Sequence, residues 1–392
     1  MGRVTLAEIF GRACTHWGFA RSGALYRVSP RNRNNLRLRP VTQRIYLDHA
    51  ATTPLRPEAK RAMEEGFTLW ANPSSPHAEG RKARAALEDA RERVKRALGW
   101  QGEVIFTSGA SEAAALALGH AKAGARLVSA VEHDAILKAA PDAERLPVRP
   151  DGALELEVLT EAVQRERPLV AVQHINSETG NAQDLAAIAG IVRQQGGLLL
   201  ADCAQSAGKL PFPPCDMAII SAHKFGGPIG VGALMVKDFA MLEPAGGQER
   251  GYRRGTENLP GVLGMAAALE ACGDPYLDPS ILEPIESLAQ ECRELGGTWL
   301  SDRLCDPTPF IRAIAMPKMS GSAQVMRFDM AGISVSQGSA CSSGTMKTSH
   351  VLQAMQVEPD VADRTIRASF GWTTTRQEVE RFCEVWLELA KA

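Results

Sequence analysis

The chain has no apolar run long enough to cross a bilayer, so a helical membrane span is not expected. Its eight cysteines are Cys14, Cys203, Cys215, Cys272, Cys292, Cys305, Cys341 and Cys383, and no two stand in a C-x-x-C pair. That spacing argues against a zinc ribbon or a thioredoxin-like motif. Cysteines so thinly scattered also make a poor disulfide framework and point to a reducing compartment. Net charge is scarce as well. The formal value of −1 gives no general case for nucleic acid. With 392 residues, 45% of them hydrophobic, the chain can still bury a large core, and two domains are expected.

The small net charge hides an asymmetry. Residues 1–44 hold nine Arg, no Lys and one acid, Glu8, a formal +8 that leaves −9 on the remainder. The stretch reads as an Arg-rich, disordered, non-catalytic tail. A transit peptide and an over-extended start of translation are the other readings of that composition.

What is present is an alternation of strand and helix patterns. Short apolar runs stand at 104–107, 127–130, 169–172, 198–201 and 217–220. They are of the kind buried in a parallel sheet, and helical patterns such as Gly80–Leu98 lie between them. Each run ends in small and polar residues. The order predicts an α/β fold with its site in the crevice at the carboxyl ends of the strands.

Two of those ends carry complementary chemistry. The last run leads into Ser221-Ala222-His223-Lys224 and a glycine-rich turn, and the run before it leads into Asp202-Cys203-Ala204-Gln205. A lone Lys on a loop is usually just solvated. A Lys and an Asp on successive strand ends are what pyridoxal phosphate requires. The Lys holds the cofactor covalently, and the Asp keeps the pyridine nitrogen protonated so that the ring can take up electrons. Ser108-Gly109-Ala110-Ser111, between a strand and a helix start, offers N–H groups to an anion.

Further motifs surround these. They are Ile45 to Pro54, Asn72-Pro73-Ser74-Ser75-Pro76-His77, Glu132-His133, Asn176-Ser177-Glu178-Thr179-Gly180 and the basic loop Gly246 to Asn258. Near the C-terminus stand Gly338-Ser339-Ala340-Cys341-Ser342-Ser343-Gly344 and Ile366-Arg367-Ala368-Ser369-Phe370-Gly371. In this order, over about residues 45–385, the set resembles the NifS/IscS-like cysteine desulfurases, class V members of the fold type I pyridoxal phosphate enzymes.

The resemblance implies a fold type I transferase. Its large domain, 60–260, would be a mostly parallel seven-stranded sheet flanked by helices. Its smaller α+β domain would comprise 45–59 and 261–392 and carry the Cys341 loop. The implied cofactor is pyridoxal 5′-phosphate, attached to Lys224. Ala110, Ser111, Ser221 and His223 are implied on its phosphate, Gln205 on the ring's 3′-oxygen and Asp202 on the ring nitrogen. His133 would stack on the ring and take part in proton transfer. Thr256 would complete the phosphate site of a partner subunit, which implies a homodimer. Asn176 falls to the 3′-oxygen or the substrate carboxylate. Arg367, with its planar fork, falls to the substrate carboxylate. Two departures stand out: Ser177 replaces the second Asn of N-N-E-[TI]-G, and Ala113 and Ala114 follow Glu112 where polar residues are usual.

The implied reaction takes sulfur from L-cysteine, gives L-alanine and leaves a persulfide on Cys341. Lys224, Cys341 and His133 are then the catalytic residues. The sulfur would pass to an iron–sulfur scaffold or a tRNA-thiolation protein. No intrinsic metal is expected, beyond transient ligation of an iron–sulfur cluster by Cys341 together with a scaffold. Nucleic-acid and membrane partners are not expected. The expected location is cytoplasmic, or mitochondrial if residues 1–44 are a transit peptide. Two other readings stay open. One is another fold type I enzyme, such as a selenocysteine lyase or an aminotransferase, with no need of the Cys341 thiol. The other is a non-catalytic sulfur-assembly partner, against which the intact Lys224, Cys341 and Arg367 speak.

Overall fold

The computed structural model describes residues 44–338 and 349–392. The tail up to residue 43 and the stretch holding Cys341 lie outside the described residues.

A two-residue strand, β1 (Ile45–Tyr46), comes first. The main sheet follows in β2 (Glu103–Thr107), β3 (Arg126–Ser129), β4 (Glu144–Leu146), β5 (Leu169–Gln173), β6 (Leu198–Asp202), β7 (Met217–Ser221) and β8 (Gly232–Val236). Its seven strands lie in the order β2-β8-β7-β6-β5-β3-β4. β3, β4, β5, β6 and β7 pair in parallel, and β8 runs antiparallel to both of its neighbours. The expected mostly parallel, helix-flanked sheet is therefore present.

The central runs are almost wholly apolar because both faces of the sheet are covered. Alternate residues point to opposite sides. Val170, Val172, Ala218 and Ile220 enter one apolar core. Leu169, Ala171, Met217 and Ile219 enter the other. Leu259–Glu270 packs against both Pro57–Thr68 and Ala78–Leu98. Leu259–Glu270 is apolar nearly all round and buried along its length, as a helix enclosed by others should be. Its residues share the core of the large sheet. The domain boundary expected after residue 260 thus falls inside a helix that packs with the large sheet.

The second layer is smaller. β9 (Thr298–Trp299), β10 (Ile311–Ala315) and β12 (Thr365–Ser369) form an antiparallel sheet with its own apolar core. β11 (Ile333–Ser334) pairs in parallel with β1. The start of the described chain is thereby stitched to its C-terminal third.

One buried ion pair fixes a loop to the main sheet. Arg91 Nη1 and Nη2 donate to the Glu249 carboxylate at 2.7 and 3.2 Å, and both side chains are almost fully buried. Glu249 also accepts from the Phe106 N–H at 2.9 Å. The Arg91 guanidinium lies over the Phe106 ring, 4.7 Å from its centre. Glu249 and Arg250 have φ of 48° and 56°, a left-handed backbone that non-glycine residues adopt at a cost. The ion pair offsets that cost. Arg91→Met leaves the buried carboxylate without its cation and is expected to cost about 3–5 kcal/mol of stability in urea denaturation. An unchanged unfolding midpoint would show that the pair contributes nothing to holding the loop.

Candidate active site

Because the strands are parallel, β5, β6 and β7 end on the same edge of the sheet. A cavity of about 450 Å³ opens there. It is walled by Ala50, Ala51, Ser108 to Glu112, His133, Ser177, Asp202, Gln205, Ser221, His223, Lys224 and Arg367, among others.

β7 ends at Ser221, which is buried, and one turn of 3-10 helix, Ala222–Lys224, brings the lysine to the cavity. Lys224 Nζ donates to the Ala50 and Ala51 carbonyls at 2.5 and 3.1 Å. Its own carbonyl accepts from Thr53 Oγ1, and the Thr53 N–H donates to the His223 carbonyl at 2.8 Å. The 48–53 segment is thus clasped to the lysine turn. His223 Nδ1 lies 3.2 Å from Thr52 Oγ1. Burial first, then the charges of Lys224 and Lys209, push its imidazole down to about 4, so it is neutral at physiological pH.

On the adjacent strand end, Asp202 is buried, and its carboxyl is pushed up by that burial. Its Oδ1 accepts the Ala204 N–H at 2.9 Å. One turn on, Gln205 Nε2 donates to the same Ala50 carbonyl at 2.7 Å. The Gln205 Oε1 is buried with no partner among the described residues. His133 caps helix Asp134–Ala139, its Nδ1 accepting the Ala135 N–H at 3.1 Å.

The start of helix Ala110–His120 forms another wall of the cavity. Glu112 accepts from the Ser108 N–H at 2.5 Å and from Arg253 at 2.9 and 3.2 Å. Burial works against its charge, but these bonds hold its carboxyl below the usual range. A Cβ on Gly232, at the start of β8, would stand 2.7 Å from the Gly109 Cα, so only glycine lets strand and turn meet. Ala113 and Ala114, where polar residues are usual, are fully buried in the core beneath.

Arg367 comes from β12 of the smaller sheet. Its Nη2 pairs with Asp48 Oδ1 at 2.7 Å and its Nη1 donates to the Ser177 carbonyl at 2.8 Å. The buried Nε has no partner among the described residues.

Two expected residues are not on the cavity. Asn176 is buried and spent on its own loop. Its Oδ1 accepts the Glu178 and Thr179 N–H groups, each at 2.9 Å, and its Nδ2 donates to the Val131 carbonyl at 3.2 Å. The neighbouring Ser177 faces the cavity instead, so Asn176 holds the loop and Ser177 stands at the wall. Thr256 is exposed and does not line the cavity. Cys341 lies outside the described residues.

Some contributors were not singled out by the sequence motifs as site residues. Asp48 and the Ala50 and Ala51 carbonyls sit within the Ile45–Pro54 motif, but only the fold brings them to Arg367 and Lys224. Lys209 is buried over the Tyr276 and Phe310 rings, 5.4 and 5.3 Å from their centres. Burial and the nearby Lys224 charge push its amine down to about 7.

Comparison with known proteins places this geometry. Residues 45–382 match the family model of the class-V aminotransferases. The chain is 37% identical to a cysteine desulfurase of Cereibacter sphaeroides over 372 residues, covering 88% of this chain and 95% of that protein. It is 32% identical to the cysteine desulfurase IscS of Dictyoglomus turgidum, covering 88% of this chain and 94% of the relative. Among solved structures, a NifS-like protein from Rickettsia africae matches at a TM-score of 0.79 with 30% identity, over 89% of this chain and 100% of the other. SspA in complex with cysteine matches at 0.71 with 28% identity, over 83% of this chain and 99% of the other. The chain therefore belongs to the class-V aminotransferase family and, within it, to the cysteine desulfurases.

Proposed function

We propose that this chain removes sulfur from L-cysteine with pyridoxal 5′-phosphate, releasing L-alanine and carrying the sulfur as a persulfide on Cys341. The observation that carries this reading is the meeting of three groups on one cavity. They are an amine, Lys224, a buried carboxyl, Asp202, and a guanidinium from the other sheet, Arg367.

The residues present fit the cofactor of the family. Gln205 Oε1 and Arg367 Nε are buried polar atoms without partners among the described residues, which a bound polar group would satisfy. Asp202 is buried, and a protonated ring nitrogen is the kind of cation that would offset its burial. Ser108, Gly109, Ala110 and Ser111 at a helix N-terminus, with Ser221 and His223 opposite, suit a phosphate. When bound, pyridoxal phosphate supplies an electron sink for charge developing at the α-carbon of the substrate.

The chain's own groups do the rest. Lys224 Nζ is the covalent anchor of the cofactor and the base for the substrate's α-proton. Arg367 receives the substrate carboxylate by charge-assisted hydrogen bonds. The Cys341 thiolate attacks the substrate sulfur, because thiolate is the nucleophilic form. An S–S bond forms, the C–S bond breaks, and the carbon that loses sulfur takes a proton and becomes the alanine methyl. Cysteine and thiol become persulfide and alanine, so no outside oxidant or reductant is needed. His133 serves the proton transfers. The Cys341 assignment rests on its sequence motif.

We extend the reading to a homodimer in which Thr256 completes the partner's phosphate site. An iron–sulfur scaffold or another sulfur acceptor is the receiving protein, and the setting is cytoplasmic. Among the described residues no helix is long and apolar enough to cross a membrane.

Three substitutions test the assignment. Lys224→Ala is expected to abolish the visible absorbance of covalently attached cofactor; a wild-type spectrum would remove Lys224 from the role. Arg367→Ala should weaken cysteine binding by about 2–4 kcal/mol, read from the concentration dependence of turnover, since a buried charge-assisted contact is lost. Cys341→Ser should keep the cofactor spectrum yet gain no sulfur in mass spectrometry after incubation with cysteine. Alanine production and sulfur transfer at the wild-type rate would mean that another thiol is the nucleophile or that none is needed.

A further inference from the structure

Glu178 takes no part in the site as described, and its place is unusual. Its Oε2 accepts a hydrogen bond from Ser349 Oγ at 2.6 Å. The same oxygen lies against Gly338, where a Cβ would approach it to 2.9 Å and the Glu178 Cβ and Cγ to 3.1 Å each. Gly338 and Ser349 are the residues that flank 339–348, the stretch containing Cys341. One carboxylate oxygen therefore touches the root of that stretch on both sides.

Both roots are tied further. On the N-terminal side, the Ser336 backbone pairs with that of Arg367, at 3.0 and 2.6 Å. On the C-terminal side, Ser349 Oγ accepts the Leu352 N–H at 3.1 Å and caps helix His350–Ala354. His350 Nε2 lies 3.0 Å from the Glu132 carbonyl. Glu178 itself is held from below, because its N–H donates to Asn176 Oδ1. Its neighbour Ser177 offers the carbonyl that fixes Arg367. Loop 176–180 thus touches, within two residues, the guanidinium assigned to the substrate carboxylate and the base of the nucleophile's stretch.

Resting on the desulfurase reading, we infer that Glu178 is a positioning residue that sets the origin of the Cys341 arm in register with Arg367. Cys341 is three residues beyond Gly338 in the sequence, and three residues of chain span at most about 11 Å. With so short an arm, the position of its root decides whether the thiol reaches a sulfur whose carboxylate is held by Arg367. The carboxylate acts through the loop roots and touches no reacting atom. The geometry also explains two residue choices. A side chain at Gly338 would press the Glu178 carboxylate aside, and Asn176 holds the loop that presents it.

The test uses the full-length, cofactor-loaded enzyme with Glu178→Ala, Glu178→Gln and Gly338→Ala. Three quantities are followed: the cofactor's visible band and its change on adding cysteine, thermal unfolding, and single-turnover sulfur addition at Cys341 by mass spectrometry. Glu178→Ala should keep the band and its response to saturating cysteine, while sulfur addition slows by about ten- to a hundred-fold, the scale of a displacement near 1 Å. Glu178→Gln, which keeps an acceptor for Ser349, should stay within about three-fold of wild type. Gly338→Ala should slow sulfur addition in the same sense by pushing the carboxylate away. Wild-type sulfur addition in Glu178→Ala overturns the inference, and so does a Gln variant as slow as the Ala variant. If Glu178→Ala does not fold, Gly338→Ala alone decides, and a wild-type rate there overturns it. If the unsubstituted enzyme itself adds no sulfur at Cys341, the desulfurase reading fails, and the positioning is judged by iodoacetamide alkylation of Cys341, which needs no turnover. Faster alkylation in Glu178→Ala than in the unsubstituted chain supports the positioning, and equal rates overturn it.

Discussion

The parallel pairing of β5, β6 and β7 is the constraint from which the site follows. Parallel strands must return by crossovers, so their carboxyl ends gather on one edge and their loops face one crevice. Asp202 ends β6 and Lys224 follows β7 by one turn, so the parallel pairing brings both to one wall. The antiparallel β8 lies next to β7, between it and the edge strand β2. Gly232 at the start of β8 allows the Ser108–Gly109 turn to approach, so that turn and the lysine turn line one cavity.

A second requirement is that the cavity leave charge unsatisfied. Asp202, His223 and Lys209 are all moved from their ordinary ionisation, in each case mainly by burial. Gln205 and Arg367 keep buried polar atoms without partners among the described residues. Such groups weaken a fold unless something binds to them. Gln205 Oε1 and Arg367 Nε stand at the cavity, where a cofactor and an amino-acid carboxylate would bring the missing hydrogen-bond partners. The Arg91–Glu249 pair shows the contrast, since a buried charge away from the site is fully matched.

The smaller sheet contributes through a few contacts of long sequence separation. Arg367 reaches Asp48 and Ser177, and Ser336 pairs with the Arg367 backbone. The segment from Asp48 to Thr53 lies between the two sheets' contributions and touches both Arg367 and Lys224. Its motif is therefore a structural joint, which suits a stretch with no nucleophile or base of its own on the cavity.

Much was legible before folding. Apolar runs that end in polar motifs define the strands and their functional ends, because a strand covered on both faces must be apolar while its end meets the crevice. Lys224, Asp202, Gln205, His133, Ser221 and the 108–111 turn all reach the cavity as that rule requires. Asn176 shows the limit of motif reading. Adjacent residues in a loop can point opposite ways, and only backbone geometry decided that Ser177 faces the cavity while Asn176 holds the loop. The helix Leu259–Glu270 reads as buried from its composition, but its partner layer was settled by packing against Pro57–Thr68 and Ala78–Leu98. The sequence by itself determined the chemistry, through residue types at strand ends that local pattern dictates. Tertiary structure alone decided which groups meet: Asp48 with Arg367, Ala50 with Lys224, and Glu178 with both Gly338 and Ser349. Such contacts join residues 160 to 319 positions apart, and nothing in local sequence encodes their distance.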